Sequence, residues 1–554
     1  MLGKMMNRPL LISSLLTHAE KHHGEQQVVS RRVEGDIHRY TYRDMAARTR
    51  RLANALAAQG MEPGDRIATL AWNGYRHLEL YYAVSGSGAV VHTINPRLHP
   101  DQITWIANHA EDKILFFDLT FLPIVEQIAQ HTDSVRAFVA MTDRDNMPLA
   151  ASVPNLLCYE DLVDAGSAHF DWPDIDENTA SSLCYTSGTT GNPKGVLYSH
   201  RSTVLHGYAA ALPDAMNCSA NDSILPVVPM FHVNAWGLPY IGCMVGAKLI
   251  FPGPQLDGKS LHELIEGEGV TFSAGVPTIW QGLLAYLEST GGTFGSMRRT
   301  IIGGSACPPA IIKAYQDHYD VEVLHAWGMT EMSPLGTVAS LKPAHRNMTA
   351  DDRLALQSKQ GRVVFGVDMK IVDEDGQALP QDGTTSGDLL VRGPWIAAGY
   401  YQADGGDVLV DGWFPTGDIA TIDEDGFMQI TDRSKDVIKS GGEWIGSIDL
   451  ENIAMSHPGI ALAACIAAKH EKWDERPLLI AARKPGATVS GDELLTLFKG
   501  KVANWWIPDD VVFVDDLPLG ATGKVLKNRL RDQYEDHLLR RGRMPERAGQ
   551  VGTN

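Results

Sequence analysis

The 554-residue sequence contains no uninterrupted apolar run of the ~18 residues a membrane-spanning helix needs. Its best candidate, Tyr81 to Ile94, is broken by Ser, Gly and His. Cysteine is scarce: six residues, at 158, 184, 218, 243, 307 and 465, form no C-x-x-C pair and have no histidine at metal-ligand spacing. That excludes a disulfide framework and a zinc site, and points to reduced thiols in a cytosolic enzyme. Positive charge is also short. With 48 Lys and Arg against 67 Asp and Glu, the net charge of −19 argues against a nucleic-acid or anionic-membrane surface. From Arg433 onward, however, 18 basic residues face 17 acidic ones. If the substrates are anions, this part is the better source of mobile positive charge. No internal repeat or low-complexity tract is present. The stretch Met1 to Leu16 carries Lys4 and Arg8 ahead of Pro9-Leu10-Leu11-Ile12, too short for a signal h-region and without an A-x-A site, so it reads as mature, cytoplasmic sequence.

What is present is a soluble globular composition, 44% hydrophobic and 21% charged, long enough at about 150 residues per domain for three or four folding units. Thr41 with Asp44 forms a capping-box pattern opening a helix through Met45, Leu52 and Leu56 to Gly60. Arg66 to Ala71 and Gly88 to Ile94 read as buried strands. The rhythm of strand and helix continues at 223–229, 247–251, 270–274 and 300–303, which predicts a parallel α/β sheet. After Gly361 the pattern becomes short strands parted by Asp375-Gly376, Asp382-Gly383, Asp411-Gly412 and Asp425-Gly426, which predicts antiparallel β structure. A charged helix is expected from about Lys524 to Arg541.

The segment Tyr185-Thr186-Ser187-Gly188-Thr189-Thr190-Gly191-Asn192-Pro193-Lys194-Gly195 holds five hydroxyls and three glycines in eleven residues. Such a loop suits backbone N–H groups and hydroxyls wrapped around a polyphosphate, with Lys194 as a point charge. The spacing is not that of a Walker A loop, and composition alone fits a Gly- and Thr-rich surface turn equally well. Glu331 beside Thr330 suits either a hard-oxygen Mg²⁺ ligand or the acid of a helix N-terminus. Trp327 offers a flat face for adenine or for core packing. Gly303-Gly304-Ser305 allows close backbone approach, and Asp418 after Gly417 is a hydroxyl acceptor or a turn residue.

The segment 185–195 resembles the phosphate loop of the AMP-forming adenylating enzymes, which include acyl-CoA synthetases, peptide-synthetase adenylation domains and luciferases. Trp327-Gly328-Met329-Thr330-Glu331 is similar to that family's aromatic-Gly-x-Thr-Glu motif, Gly417-Asp418 to its ribose motif, and Asp432-Arg433-Ser434-Lys435 to its hinge. Gly441-Gly442-Glu443 and Thr522-Gly523-Lys524 complete the order, so the resemblance runs over nearly the whole chain.

It implies a large N-terminal domain over 1–432, made of parallel α/β subdomains and a β-rich subdomain, a hinge at 433–435, and a small mobile α+β domain over 436–554. It implies ATP, Mg²⁺ and coenzyme A as cofactors and a small carboxylic acid as partner, with no nucleic acid and no integral membrane part; a homodimer is expected. Thr186, Ser187, Gly188, Thr189, Thr190, Gly191 and Lys194 would hold phosphates; Gly304, Ser305, Ala326, Trp327, Gly328, Met329 and Thr330 the adenosine; and Asp418 and Arg433 the ribose. Glu331 with Thr186 would hold Mg²⁺. Lys524 would bridge the acyl carboxylate and the α-phosphate, Lys435 would be the pivot, and Gly441, Gly442, Glu443 and Trp444 would line the coenzyme A side.

Pro229 to Gly237 resembles the segment gating the acyl pocket in bacterial fatty acyl-CoA synthetases, with Trp236 as gate and His232 near the carboxylate; an ordinary core tryptophan and a structural histidine are the alternatives. No basic residue in this stretch suggests a second substrate carboxylate, so a monocarboxylic acid with an apolar tail is favoured, a medium-chain fatty acid or 3-(methylthio)propanoate. The other readings are a stand-alone adenylating enzyme that loads a carrier protein and a non-catalytic nucleotide-binding protein.

Overall fold

The computed structural model describes residues 1, 3–149, 152–186, 193–403, 408–440, 443–520 and 525–542. The chain divides into two compact units, one of 1–369, 391–414 and 425–427, the other of 370–390, 415–424 and 428–554.

The first unit is built on two large sheets. One has seven strands in the order Leu156–Cys158, Ala137–Ala140, Ile114–Phe117, Arg66–Leu70, Val90–Thr93, Ala180–Tyr185 and Gly195–Ser199. All its pairs are parallel except the last, a hairpin. Strands such as Ile114–Phe117, buried at every position, are apolar throughout because helices cover both faces of a parallel sheet. The second sheet has nine strands; its parallel heart runs Arg299–Gly303, Phe272–Gly275, Ser223–Pro226, Lys248–Phe251. The expected alternation of strand and helix is therefore present, and Tyr42–Ala58 starts at the capping box between Thr41 and Asp44. Among the described residues no helix is long and apolar enough to cross a membrane.

The second unit holds most of a four-stranded sheet, Asp368–Val372, Gly387–Arg392, Phe414–Ile422 and Met428–Arg433. Its last pair is antiparallel and sets Asp418 opposite Arg433, as the Asp-Gly turns anticipated. A five-stranded sheet centred on Ile460–His470 and Asp474–Arg483 follows, its core formed by Ile438, Leu450, Cys465, Leu479 and Phe498. Buried Asp432 accepts hydrogen bonds from the Ser447 N–H at 2.6 Å and hydroxyl at 3.0 Å. It thereby satisfies an N–H in the first turn of Ser447–Met455, whose own cap supplies no side chain.

The single charged helix expected near the C-terminus is two pieces, Lys527–Tyr534 and His537–Gly542. The break has a physical cause. The Lys469 N–H on the neighbouring strand takes the Glu535 carbonyl at 2.7 Å, although the Glu535 N–H still donates to the Arg531 carbonyl at 2.9 Å, and the Lys469 ammonium holds Glu535 and Asp536 at 2.8 and 3.3 Å, so it is the Glu535 carbonyl that is diverted from the helix to the strand.

Candidate active site

Thr186 and Lys194 close the neck of the hairpin between Ala180–Tyr185 and Gly195–Ser199. The Thr186 N–H donates to the Lys194 carbonyl at 2.9 Å, and the Lys194 N–H to the Thr186 hydroxyl at 3.2 Å. The tip of the loop, with Ser187, Gly188, Thr189, Thr190 and Gly191, lies outside the described residues. Lys194 then leans over the ring of Tyr400, its ammonium 4.7 Å from the centroid. The Tyr400 hydroxyl donates to Glu331 Oε1 at 2.7 Å. A single aromatic ring thus connects Lys194 to Glu331 across long stretches of chain. Burial, followed by the charge of Glu331, pushes the Tyr400 hydroxyl up.

Glu331 sits in the short 3₁₀ turn Thr330–Met332 and is 7% exposed. The turn is pinned from two directions: the Tyr198 hydroxyl donates to the Thr330 carbonyl at 2.5 Å, and the Ala397 N–H to the Glu331 carbonyl at 2.7 Å. Ala326, Trp327 and Gly328 end the strand that leads into it, with Ala326 and Trp327 buried.

Trp236 lies against the glycine pair. A Cβ at Gly303 would stand 3.3 Å from Trp236 Cη2 and 2.7 Å from the Ala326 carbonyl oxygen, so this close approach requires glycine. Gly304 and Ser305 beside it are both exposed. The backbone that presents Trp236 is left-handed: Val233, Asn234, Ala235 and Trp236 have φ of 45°, 45°, 51° and 55°. For residues with a Cβ this costs about 1–2 kcal/mol each, so the surroundings must impose it. They do so through Asn234, whose amide donates to the Ser182 hydroxyl at 2.7 Å and whose carbonyl accepts from the Cys184 thiol at 3.2 Å. The turn ends at Gly237, φ 81°, where a Cβ would fall 2.8 Å from the His206 ring. His206, held neutral by burial with its pKa pushed down to about 3, accepts the Leu335 N–H at 3.2 Å. His232 is half-buried at the start of this turn, its carbonyl accepting from the Ala235 N–H at 3.1 Å.

Residues 15–401 match the model of the AMP-binding enzymes, and 449–524 that of the AMP-binding enzyme C-terminal domain. The chain belongs to the AMP-binding enzyme family. It is 55% identical to a medium-chain-fatty-acid–CoA ligase of Ectopseudomonas oleovorans over 98% of this chain and 99% of the relative. It is also 55% identical to a 3-methylmercaptopropionyl-CoA ligase of Ruegeria lacuscaerulensis, over 97% of this chain and 100% of the relative. Among solved structures, ATP-bound MatB from Rhodopseudomonas palustris superposes with a TM-score of 0.80 at 26% identity, over 95% of this chain and 99% of MatB.

In this AMP-binding enzyme the remaining motif residues fall in the second unit. Asp418, its side chain 3% exposed, pairs with the Arg433 guanidinium at 2.8 Å. The Ser434 N–H reaches back to the Gly417 carbonyl at 3.0 Å. Lys435 is exposed in the turn that follows. Glu443 and Trp444 stand on the short strand Glu443–Ile445, whereas Gly441, Gly442 and Lys524 lie outside the described residues. The sequence alone did not single out Tyr400, Tyr198, His206 or Asn234. Of these, only Tyr400 carried a local signal, the Gly399-Tyr400-Tyr401 cluster.

Proposed function

We propose that the protein is an AMP-forming acyl-CoA ligase for a monocarboxylic acid with an apolar tail. The carboxylate oxygen attacks the α-phosphorus of ATP, pyrophosphate leaves, and the thiol of coenzyme A then displaces AMP from the acyl-adenylate. The observation that carries this reading is the Lys194–Tyr400–Glu331 connection, which gathers a cation and a carboxylate at the neck of the phosphate loop. Trp236 on the Gly303–Gly304 backbone supports an apolar acyl tail, and the names of the relatives supply the substrates to try, medium-chain fatty acids and 3-(methylthio)propanoate.

Mg²⁺ fits the donor set. Among the described residues no three His, Cys, Asp or Glu side chains converge to hold a metal, and Mg²⁺ characteristically takes one or two carboxylates with substrate phosphates and water. Glu331 and Thr186 would hold it, and the bound ion supplies charge neutralisation on the phosphates. In the same reading His232 lies near the acyl carboxylate, and Asp418 and Arg433 bind the ribose. Lys524 brings an ammonium between two anions, which stabilises the transition state more than the separated reactants. Lys435 is the pivot between 1–432 and 436–554, exchanging the Lys524 loop for the Gly441, Gly442, Glu443 and Trp444 face when coenzyme A enters. The enzyme acts in the cytoplasm as a homodimer.

The test is pyrophosphate release over a panel from acetate to long-chain acids, including 3-(methylthio)propanoate, with and without coenzyme A. Sustained release with coenzyme A and an apolar acid is the expected result. Release that requires a carrier protein would replace this reading with the stand-alone adenylating enzyme, and no release with any acid would leave a nucleotide-binding homologue.

A further inference from the structure

The helix Pro100–Ala110 brings two rings to the hairpin neck closed by Thr186 and Lys194. Trp105 and His109, four residues apart, share a face of that helix and stack, with centroids 4.6 Å apart and planes 21° from parallel. The stack orients the imidazole. His109 Nδ1 lies 2.6 Å from the Tyr185 hydroxyl, a hydrogen bond between residues 76 apart in the chain. The Trp105 ring meets the Tyr185 ring edge-on at 6.3 Å. Tyr185 is thus held by its hydroxyl and by its ring.

Tyr185 is the last strand residue before Thr186, and it pairs with Gly195, the first residue after Lys194. Tyr401 forms a separate antiparallel bridge to Gly195, its N–H donating to the Gly195 carbonyl at 2.8 Å. A Cβ at Gly195 would stand 3.2 Å from both Tyr185 Cζ and Tyr401 Cβ, so the two tyrosines close directly on this backbone. The Tyr401 ring then returns to His109, edge-on at 6.0 Å. One imidazole therefore contacts both tyrosines that grip the neck, and the residue before Tyr401 is Tyr400, which carries Lys194 on its ring and Glu331 on its hydroxyl.

Trp105, His109, Tyr185 and Tyr401 are all half-buried. At such a place water can replace either partner of the hydroxyl–imidazole bond, so the bond adds little to folding. Its consequence is positional. A loop that must wrap a polyphosphate loses conformational freedom on binding, and a neck already held in place lowers that cost.

We propose that His109 is a positioning residue for nucleotide binding, acting through Tyr185 and Tyr401 to hold the neck of the loop between Thr186 and Lys194. This rests on the reading of that loop as the ATP phosphate site. His109 itself touches neither substrate nor reacting atoms; it sets where Thr186 and Lys194 stand before ATP arrives.

The experiment uses the full chain with Mg²⁺. ATP affinity is measured by calorimetry, and the KM values for ATP and for the acid by pyrophosphate release, in the parent, Tyr185→Phe, His109→Leu and His109→Asn, each with its melting temperature. Tyr185→Phe keeps the ring and deletes the hydroxyl, while His109→Asn returns a polar atom near the Nδ1 position. ATP affinity should fall roughly 3- to 10-fold in Tyr185→Phe and in His109→Leu, the span of one neutral hydrogen bond, with the acid KM at its parental value. His109→Asn should recover most of that loss. Parental ATP affinity in both Tyr185→Phe and His109→Leu, an acid KM that rises in step with the ATP KM, or His109→Asn no better than His109→Leu would overturn the assignment. If His109→Leu melts early, Tyr185→Phe decides. A parent that binds ATP without releasing pyrophosphate would sink the ligase reading alone and leave the calorimetric comparison to decide the role of His109, whereas a parent that binds no ATP would overturn both.

Discussion

Glu331 and Asp418 are both carboxylates withdrawn from water, 7% and 2% exposed, and their neighbours resolve that cost in opposite ways. Asp418 faces the Arg433 guanidinium at 2.8 Å, a charge matched by a charge. Glu331 receives a neutral phenol, Tyr400, and among the described residues no Lys or Arg lies within ion-pair distance of it. The cation nearest in the chain of contacts, Lys194, reaches it only through the face of the Tyr400 ring. A carboxylate already neutralised by arginine makes a poor metal ligand but a good acceptor for hydroxyl groups, while one held by a phenol keeps its charge for a cation that arrives with the substrate. The difference argues for ribose binding at Asp418 and Mg²⁺ at Glu331.

The largest effect should follow Glu331→Gln. Removing the charge while keeping the shape should lower turnover roughly 10²- to 10³-fold, measured as pyrophosphate release. Loss of less than a few fold would mean that Glu331 carries no developing charge. Asp418→Asn should be milder for turnover and raise the ATP KM roughly tenfold, the scale of one hydrogen bond to a charged group. Because Arg433 is 45% exposed and solvent screens it, the fold should lose only about 1–2 kcal/mol, read by urea denaturation. A mutant with unchanged KM would remove Asp418 from the nucleotide site. Tyr400→Phe, which keeps the ring under Lys194 and deletes the hydroxyl to Glu331, should cost roughly 3- to 30-fold in rate. A loss equal to that of Glu331→Gln would instead make the hydroxyl itself essential.

Acid should separate the two surroundings by a smaller margin. The unit that holds Glu331 also buries His77, His200 and His206 in neutral form, their pKa values pushed down to about 4, 4 and 3 by desolvation. A histidine depressed in the folded state binds its proton only on unfolding. Its contribution is therefore complete above about pH 6.5 and lost as pH falls toward the folded value, at no more than about 1.4 kcal/mol per pH unit each. Urea melts at pH 7, 6 and 5 should show the first unit weakening through this window, and His206→Asn should flatten the slope. A pH-independent melt would contradict the burial of these rings.

Motifs were legible where the chemistry is local. Thr186 and Lys194, Trp327 with Glu331, and Gly417-Asp418 are short strings whose residue types alone left alternatives open and whose resemblance to the family's motifs pointed to phosphate, adenine and ribose chemistry, and the parallel sheet followed from apolar strands at regular spacing. The supports were not legible, because they join distant parts of the chain. Tyr400 meets Glu331 from 69 residues away and Tyr198 meets Thr330 from 132, and nothing in either neighbourhood specifies the partner. The left-handed turn 233–236 was hidden for another reason. Val, Ala and Trp do not favour positive φ, and it is Asn234 on Ser182 and Gly237 over His206 that hold it there. The broken C-terminal helix likewise depends on Lys469, far back in the sequence.

The assignment of the two carboxylates is tested most directly by titrating Mg²⁺ against pyrophosphate release at saturating ATP in the parent, Glu331→Gln and Asp418→Asn. The Mg²⁺ concentration for half-maximal rate should rise at least about tenfold in Glu331→Gln, since an amide oxygen is a poorer ligand for a hard cation, and stay at the parental value in Asp418→Asn. Equal shifts in both variants, or a shift confined to Asp418→Asn, would contradict it.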